Sequence, residues 1–133
     1  IEFYQSNPTS NLLASKYWFS EGVCYTMLTS GKPSFRLLPP TGGFDMAGPC
    51  ICNLDQNKNW ALGFLNCSIA ADVLSMLNPT LNMQARDIKA LPVLISAEHQ
   101  PAINSLVDNN VSISKTDWDS FETSWDFKRH PLL

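Results

Sequence analysis

Two short stretches of this 133-residue chain carry residue types suited to gripping a negative or hydrogen-bonding partner. The first is Ser30-Gly31-Lys32-Pro33-Ser34-Phe35-Arg36-Leu37-Leu38-Pro39-Pro40, a turn that presents a lysine and then an alternating run that presents an arginine. Phe35 and Leu37 point one way along such a run and Ser34 and Arg36 the other, the period of a half-buried strand. Lys32 and Arg36 are thereby offered to an anion, with the hydroxyls of Ser30 and Ser34 beside them. The same pattern also describes an ordinary solvated face. The second stretch, residues 78–91, is rich in amides and carries Asn82, Gln84, Arg86 and Lys89. Asn and Gln pair bidentately with adenine edges and Arg with guanine, so this loop has the chemistry to read bases in a major groove. Amides are equally common in loops that read nothing.

The elements that must hold these residues follow from periodicity. Residues 17–28 are aromatic and β-branched enough for strand, residues 34–38 continue the sheet, and Cys50-Ile51-Cys52-Asn53-Leu54 is a further strand after the turns around Gly42-Gly43 and Gly48-Pro49. Residues 44–46 are at most a short strand. Short strands with tight turns indicate a small mixed or antiparallel sheet. Over residues 59–77 the apolar positions Trp60, Leu62, Phe64, Leu65, Ile69, Val73, Leu74 and Leu77 take up helical spacing. Residues 66–68 divide this run into two helices, with Ser68 the expected N-cap of the second, and Asn78-Pro79 ends it. Ala61, Gly63, Ala70 and Ala71 permit close packing, and the helix is expected to cover one face of the sheet. Leu91-Pro92-Val93 reads as an edge strand or extended exit. A helix over 97–111 points Ile103, Leu106 and Val107 inward, with Pro101 in its first turn. A last helix is expected over 117–125, its Trp118, Phe121 and Trp125 on one buried face. The fold class is therefore α+β, with the chain divided into a lead-in (1–16), a core (17–96) and C-terminal helices with a connector (97–133).

Composition narrows the function. A formal net charge of −3 and a pI near 5.2 argue against a freestanding nucleic-acid binder driven by charge alone. The charged share of 16% beside a hydrophobic share of 44% describes a surface suited to lying against other protein. The chain opens Ile1-Glu2-Phe3-Tyr4 without an initiator methionine, as a piece of a longer polypeptide or a processed product would. No apolar run approaches the roughly 20 residues of a membrane span, and no signal pattern precedes a cleavage site, so a cytoplasmic protein is expected. Cys24, Cys50, Cys52 and Cys67 include no Cys-x-x-Cys pair, and His99 and His130 lack metal-ligand spacing. They read as reduced thiols and surface histidines. Phosphate-loop, nucleophile-elbow and dinucleotide signatures are missing from the sequence. Asp45, Asp55 and Asp87 fall where turns and caps use them.

Longer strings carry a family resemblance. Ser-Gly-Lys-Pro-Ser-Phe-Arg from Ser30, Gly48-Pro49 leading a strand, Phe64-Leu65-Asn66-Cys67 before a helix, Asn78-Pro79-Thr80-Leu81-Asn82, and Asp87-Ile88 running to Leu91-Pro92-Val93 resemble the region downstream of the catalytic domain in PglX-type adenine-specific DNA methyltransferases of BREX phage-defence systems. The string Asp117-Trp118-Asp119-Ser120-Phe121-Glu122-Thr123-Ser124-Trp125-Asp126-Phe127 is the most specific part, and the resemblance runs from about Tyr17 to the end. The Ile-x-x-Leu-Pro-Val exit is more distantly similar to target-recognition domains of type I specificity subunits. Asn7-Pro8-Thr9 begins like the Asn-Pro-Pro-Tyr box of amino-methyltransferases and lacks the rest.

The resemblance implies a target-recognition module that holds duplex DNA against an upstream domain. That domain would bind S-adenosylmethionine and methylate a flipped adenine, so no cofactor is expected within this chain. It implies Ser30, Lys32, Ser34 and Arg36 at phosphate or base edges and Asn82, Gln84, Arg86 and Lys89 in a second contact loop, with other proteins of the defence system as further partners. Asp117, Asp119, Glu122 and Asp126 would repel phosphate and face away. The competing expectation is a protein-interaction or scaffold domain that touches no bases.

Overall fold

The computed structural model describes residues 14–132. Residues 1–13, which include most of the expected lead-in and the Asn7-Pro8-Thr9 string, lie outside the described residues. The fold is α+β, as expected. Strands β1 (Gly22–Tyr25), β2 (Phe35–Leu38) and β3 (Cys50–Cys52) form one antiparallel sheet in the order β2-β1-β3. Helices α1 (Lys58–Leu65), α2 (Ser68–Leu77), α3 (Ala85–Lys89) and α4 (Gln100–Trp118) follow.

Register places Val23 opposite both Leu37 and Ile51, and Cys24 opposite both Arg36 and Cys50. Because side chains alternate across a strand, Val23, Tyr25, Phe35, Leu37 and Ile51 share one face. That face is the core: Val23 is wholly buried, the rings of Tyr25 and Phe35 lie 5.7 Å apart, and Leu62, Leu65 and Leu74 pack against them. α1 covers the sheet, contacting β1 and β2. On its other side α4 packs so closely that a Cβ on Gly63 would stand 2.8 Å from Val107 Cγ2. The small residues of the helical run thus do serve close packing.

β2 is an edge strand, and an exposed edge leaves backbone groups unpaired. Asn66, at the C-terminal end of α1, closes it. Its Oδ1 accepts from Phe35 N at 3.1 Å, and its Nδ2 donates to Phe35 O at 3.0 Å and to Leu62 O at 2.9 Å. One amide side chain stands in for the missing strand and ties β2 to the helix. Asn66→Ala removes three hydrogen bonds to partly buried backbone, and a loss of about 1–3 kcal/mol is expected, read as the shift in chemical denaturation.

Several expectations are corrected. Residues 17–19 are not strand: Ser15–Tyr17 is a 3-10 turn closed by Tyr17 N to Ala14 O at 2.9 Å, and Phe19 follows at φ 55, so the sheet begins at Gly22. Residues 44–46 form no strand, because Asp45 Oδ1 accepts from Ala47 N and Gly48 N, each at 2.9 Å, and bends the chain into a turn. The helical run does divide where expected, the two parts meeting at 76°. Its second N-cap is Cys67 rather than Ser68, with Sγ accepting from Ala70 N at 3.4 Å. Ile69 and Leu77 turn outward instead of inward. Residues 78–91 are not all loop, since α3 forms within them. The exit after Leu91 joins no strand.

The C-terminal segment departs furthest. α4 continues through the expected break and ends at Trp118, and no helix follows among the described residues. Lys115 Nζ holds Asp119 Oδ2 at 2.6 Å and Asp126 Oδ2 at 2.7 Å, while Ser124 Oγ donates to Asp119 Oδ1, folding residues 119–126 into turns across the helix end. Trp118, Phe121 and Trp125, expected to be buried on one helical face, are 58%, 51% and 101% exposed. Leu106 also faces out, whereas Val107 is buried and Ile103 partly so. Pro101 sits in the first turn as expected.

Candidate nucleic-acid interface

The two polar stretches converge. Beyond β1 the chain keeps its extended course, and Leu28 pairs antiparallel with Asn82. Thr29 N donates to Leu81 O at 3.0 Å and Met83 N to Met27 O at 2.8 Å. This register sets Asn82 beside Leu28 and runs Thr80 toward Ser30, so the lysine-bearing turn starts where the amide-rich segment is anchored.

All eight residues singled out in the sequence are exposed: Ser30, Lys32, Ser34, Arg36, Asn82, Gln84, Arg86 and Lys89. Their settings differ. Lys32 stands in the turn after Gly31, whose N–H is held by Thr29 Oγ1 at 3.1 Å. Arg36 lies on the outer sheet face, between β1 and solvent, beside Cys24. Among the described residues neither Lys32, Arg36 nor Lys89 has an acidic partner. Gln84 is the N-cap of α3, Arg86 lies 3.6 Å through Nε from Asp87 Oδ1, and Lys89 closes the same short helix.

Asp87 is the one buried charged residue among those described. Its Oδ2 accepts from Asn78 Nδ2 at 2.6 Å and from Gln84 N at 2.8 Å. The Asn78 bond first, then the Gln84 bond, hold its carboxyl below the usual carboxylate range; burial opposes them, and Arg86 adds a smaller pull. A folded value below the unfolded one means that this stabilisation is complete above about pH 4 and is lost as pH falls through the lowered folded value. In acid unfolding, Asp87→Asn should therefore give a shallower loss of stability than the parent below about pH 4. Tyr25 beneath the loop responds in kind: burial, then the Asp87 charge, push its phenol up.

The outer sheet face also carries Cys24, Cys50 and Cys52. Burial, a hydrogen bond to Cys52 and its thiol neighbours push Cys50 up to about 12, so it stays a neutral thiol. All four cysteines are free, and no metal-binding group of His, Cys, Asp or Glu occurs among the described residues. A groove of about 510 Å³ on this face is lined by Cys24, Leu38, Gly43, Phe44, Asp45 and Gly48. A second of about 510 Å³ lies at the C-terminal turns, with Asp119, Asp126, Lys128 and Arg129. No single helix among the described residues is long and apolar enough to cross a membrane.

Asn66, Asn78 and Asp87 are the residues that sequence reasoning left out of the site. Asp87 read correctly as a capping residue, but its partner Asn78 was visible only as the stop before Pro79.

Comparison with known proteins sets this surface in context. The chain is 31% identical over 119 residues to the adenine-specific methyltransferase PglX of Lacticaseibacillus casei (strain Zhang), an alignment covering 89% of this chain and 10% of that protein. It is similar to one region of such enzymes. The chain is also 29% identical over 127 residues to the adenine-specific methyltransferase BrxX of Escherichia coli O9:H4 (strain HS), covering 93% of this chain and 10% of that protein. It thus spans about a tenth of the length of the curated relatives it matches. The similarity agrees with the enzyme family expected from the motif strings. No protein-family model matches the chain.

Proposed function

We propose that this chain is the DNA target-recognition region of an S-adenosylmethionine-dependent adenine methyltransferase in a BREX-type phage-defence system. Its partners would be duplex DNA and an upstream catalytic domain. The observation that carries the reading is the Leu28–Asn82 bridge, which joins the start of the turn that bears Lys32 and leads into β2 with Arg36 to a segment bearing Asn82 and Gln84. Unpaired cations supply phosphate contacts and exposed amides supply base contacts, the division of labour of a sequence-reading surface. The cofactor and the methyl transfer are assigned to another part of the polypeptide.

The exposure of Trp118, Phe121 and Trp125 favours a second reading, a docking module that contacts other protein, since exposed aromatics anchor interfaces. Site-specific photocrosslinking separates the two. In the methyltransferase bound to duplex DNA, a photoreactive residue at Ser34 or Asn82 is expected to label DNA, and one at Trp125 is not. Labelling of protein from positions 34 and 82, with no DNA adduct, would favour docking.

A further inference from the structure

At least one backbone group of every residue from 80 to 84 is hydrogen-bonded, and the bonds come from two sides. Leu81 and Met83 bond to Thr29 and Met27 in the line of β1. Between them, Thr80 N donates to Asn78 Oδ1 at 3.0 Å, Asn78 Nδ2 donates to Asn82 O at 2.8 Å, and Gln84 N donates to Asp87 Oδ2 at 2.8 Å. Odd residues are held by the chain that follows β1 and even residues by the side chains of Asn78 and Asp87, much as Asn66 holds the edge of β2. Thr80 Oγ1 completes the set, donating to Asn78 Oδ1 at 2.6 Å and accepting from Asn82 N at 3.4 Å. Taking a carboxylate out of water is costly unless its bonds are well made. The Asp87–Gln84 bond caps α3, but the Asn78 bonds to Thr80 and Asn82 reach beyond that cap, and a reading edge must hold its side chains in fixed register to tell one base pair from another.

We infer that Asn78 and Asp87 are positioning residues that set the sequence discrimination of this surface by holding the 80–84 segment rigid, without themselves touching DNA. The inference rests on the proposed DNA-reading function. It separates two quantities: phosphate contacts by Lys32 and Arg36 govern affinity for any duplex, and the pinned segment governs preference among duplexes.

The test uses the intact methyltransferase, with genome-wide adenine methylation as the readout at the recognised motif and at sites one base removed. Asp87→Ala and, on the exposed side, Thr80→Val are expected to lower the ratio of motif to near-motif methylation by about tenfold or more, one lost base contact's worth of discrimination. The salt dependence of DNA binding should be unchanged. Asp87→Asn, whose amide oxygen can keep both bonds, should retain the ratio to within about threefold. Thr80→Val guards against Asp87→Ala simply failing to fold. A uniform fall in methylation at all sites with the ratio preserved would make the pair merely structural and overturn the inference. If Asn82→Ala also leaves the motif untouched, it is the DNA-reading function itself that fails.

Discussion

On the proposed DNA-reading function, replacing Lys32 and Arg36 together with glutamate is expected to weaken duplex binding by the intact polypeptide at least about 100-fold, and to abolish methylation at its motif. Each well-placed arginine contact to a base is worth about 1–3 kcal/mol, and each phosphate neutralised contributes through released counterions. The chain carries a net charge of −3, so a few unpaired cations must do the electrostatic attraction. Lys58 is already held by Glu21 at 2.6 Å and Lys115 by two aspartates, which leaves Lys32 and Arg36 among the few basic groups free to engage a phosphate. Both side chains are exposed, so the fold should survive, and unchanged thermal unfolding is the control. The glutamine pair should flatten the salt dependence by about two contacts' worth, a log–log slope change of roughly 1.8. Binding and motif unaffected by either pair would remove this surface from DNA contact.

Gly22→Ala should destabilise the fold by about 3 kcal/mol, the upper range for overpacking, measured by denaturant titration. Gly22 lies in β1 opposite Cys52, and a Cβ there would stand 2.5 Å from both the Ile51 carbonyl oxygen and Cys50 Sγ. A thiol can swing aside, but the carbonyl belongs to the strand and cannot move without opening the ladder to β3. Adding Cys50→Ala should therefore recover only part of the loss. Full recovery would show the clash to be with sulfur alone, and no loss would show β3 free to slide.

Much of the fold was legible because period announces itself. The alternation through Phe35, Arg36 and Leu37 located β2 and its exposed arginine, and the apolar spacing from Trp60 to Leu77 located α1 and α2 with their break. The misplaced aromatics show where such reasoning ends. Trp118, Phe121 and Trp125 have helical spacing, but the helix ends at Trp118 and the turns that follow, tied back by Lys115 to Asp126, leave the rings outside. That tie joins residues eleven apart through a lysine, which no local pattern encodes. The convergence of the two polar stretches was hidden for the same reason, since Leu28 and Asn82 meet only in the folded chain. Asn66 and Asn78 read as loop amides because a side chain that imitates a strand edge needs no particular neighbours in sequence.

The most direct test of the proposed function exchanges residues 22–93 in the intact polypeptide for the matching segment of a relative that methylates a different site, followed by genome-wide mapping of adenine methylation. The account predicts that the methylated motif moves with the segment. Methylation persisting at the original motif would contradict it and place sequence reading elsewhere in the polypeptide.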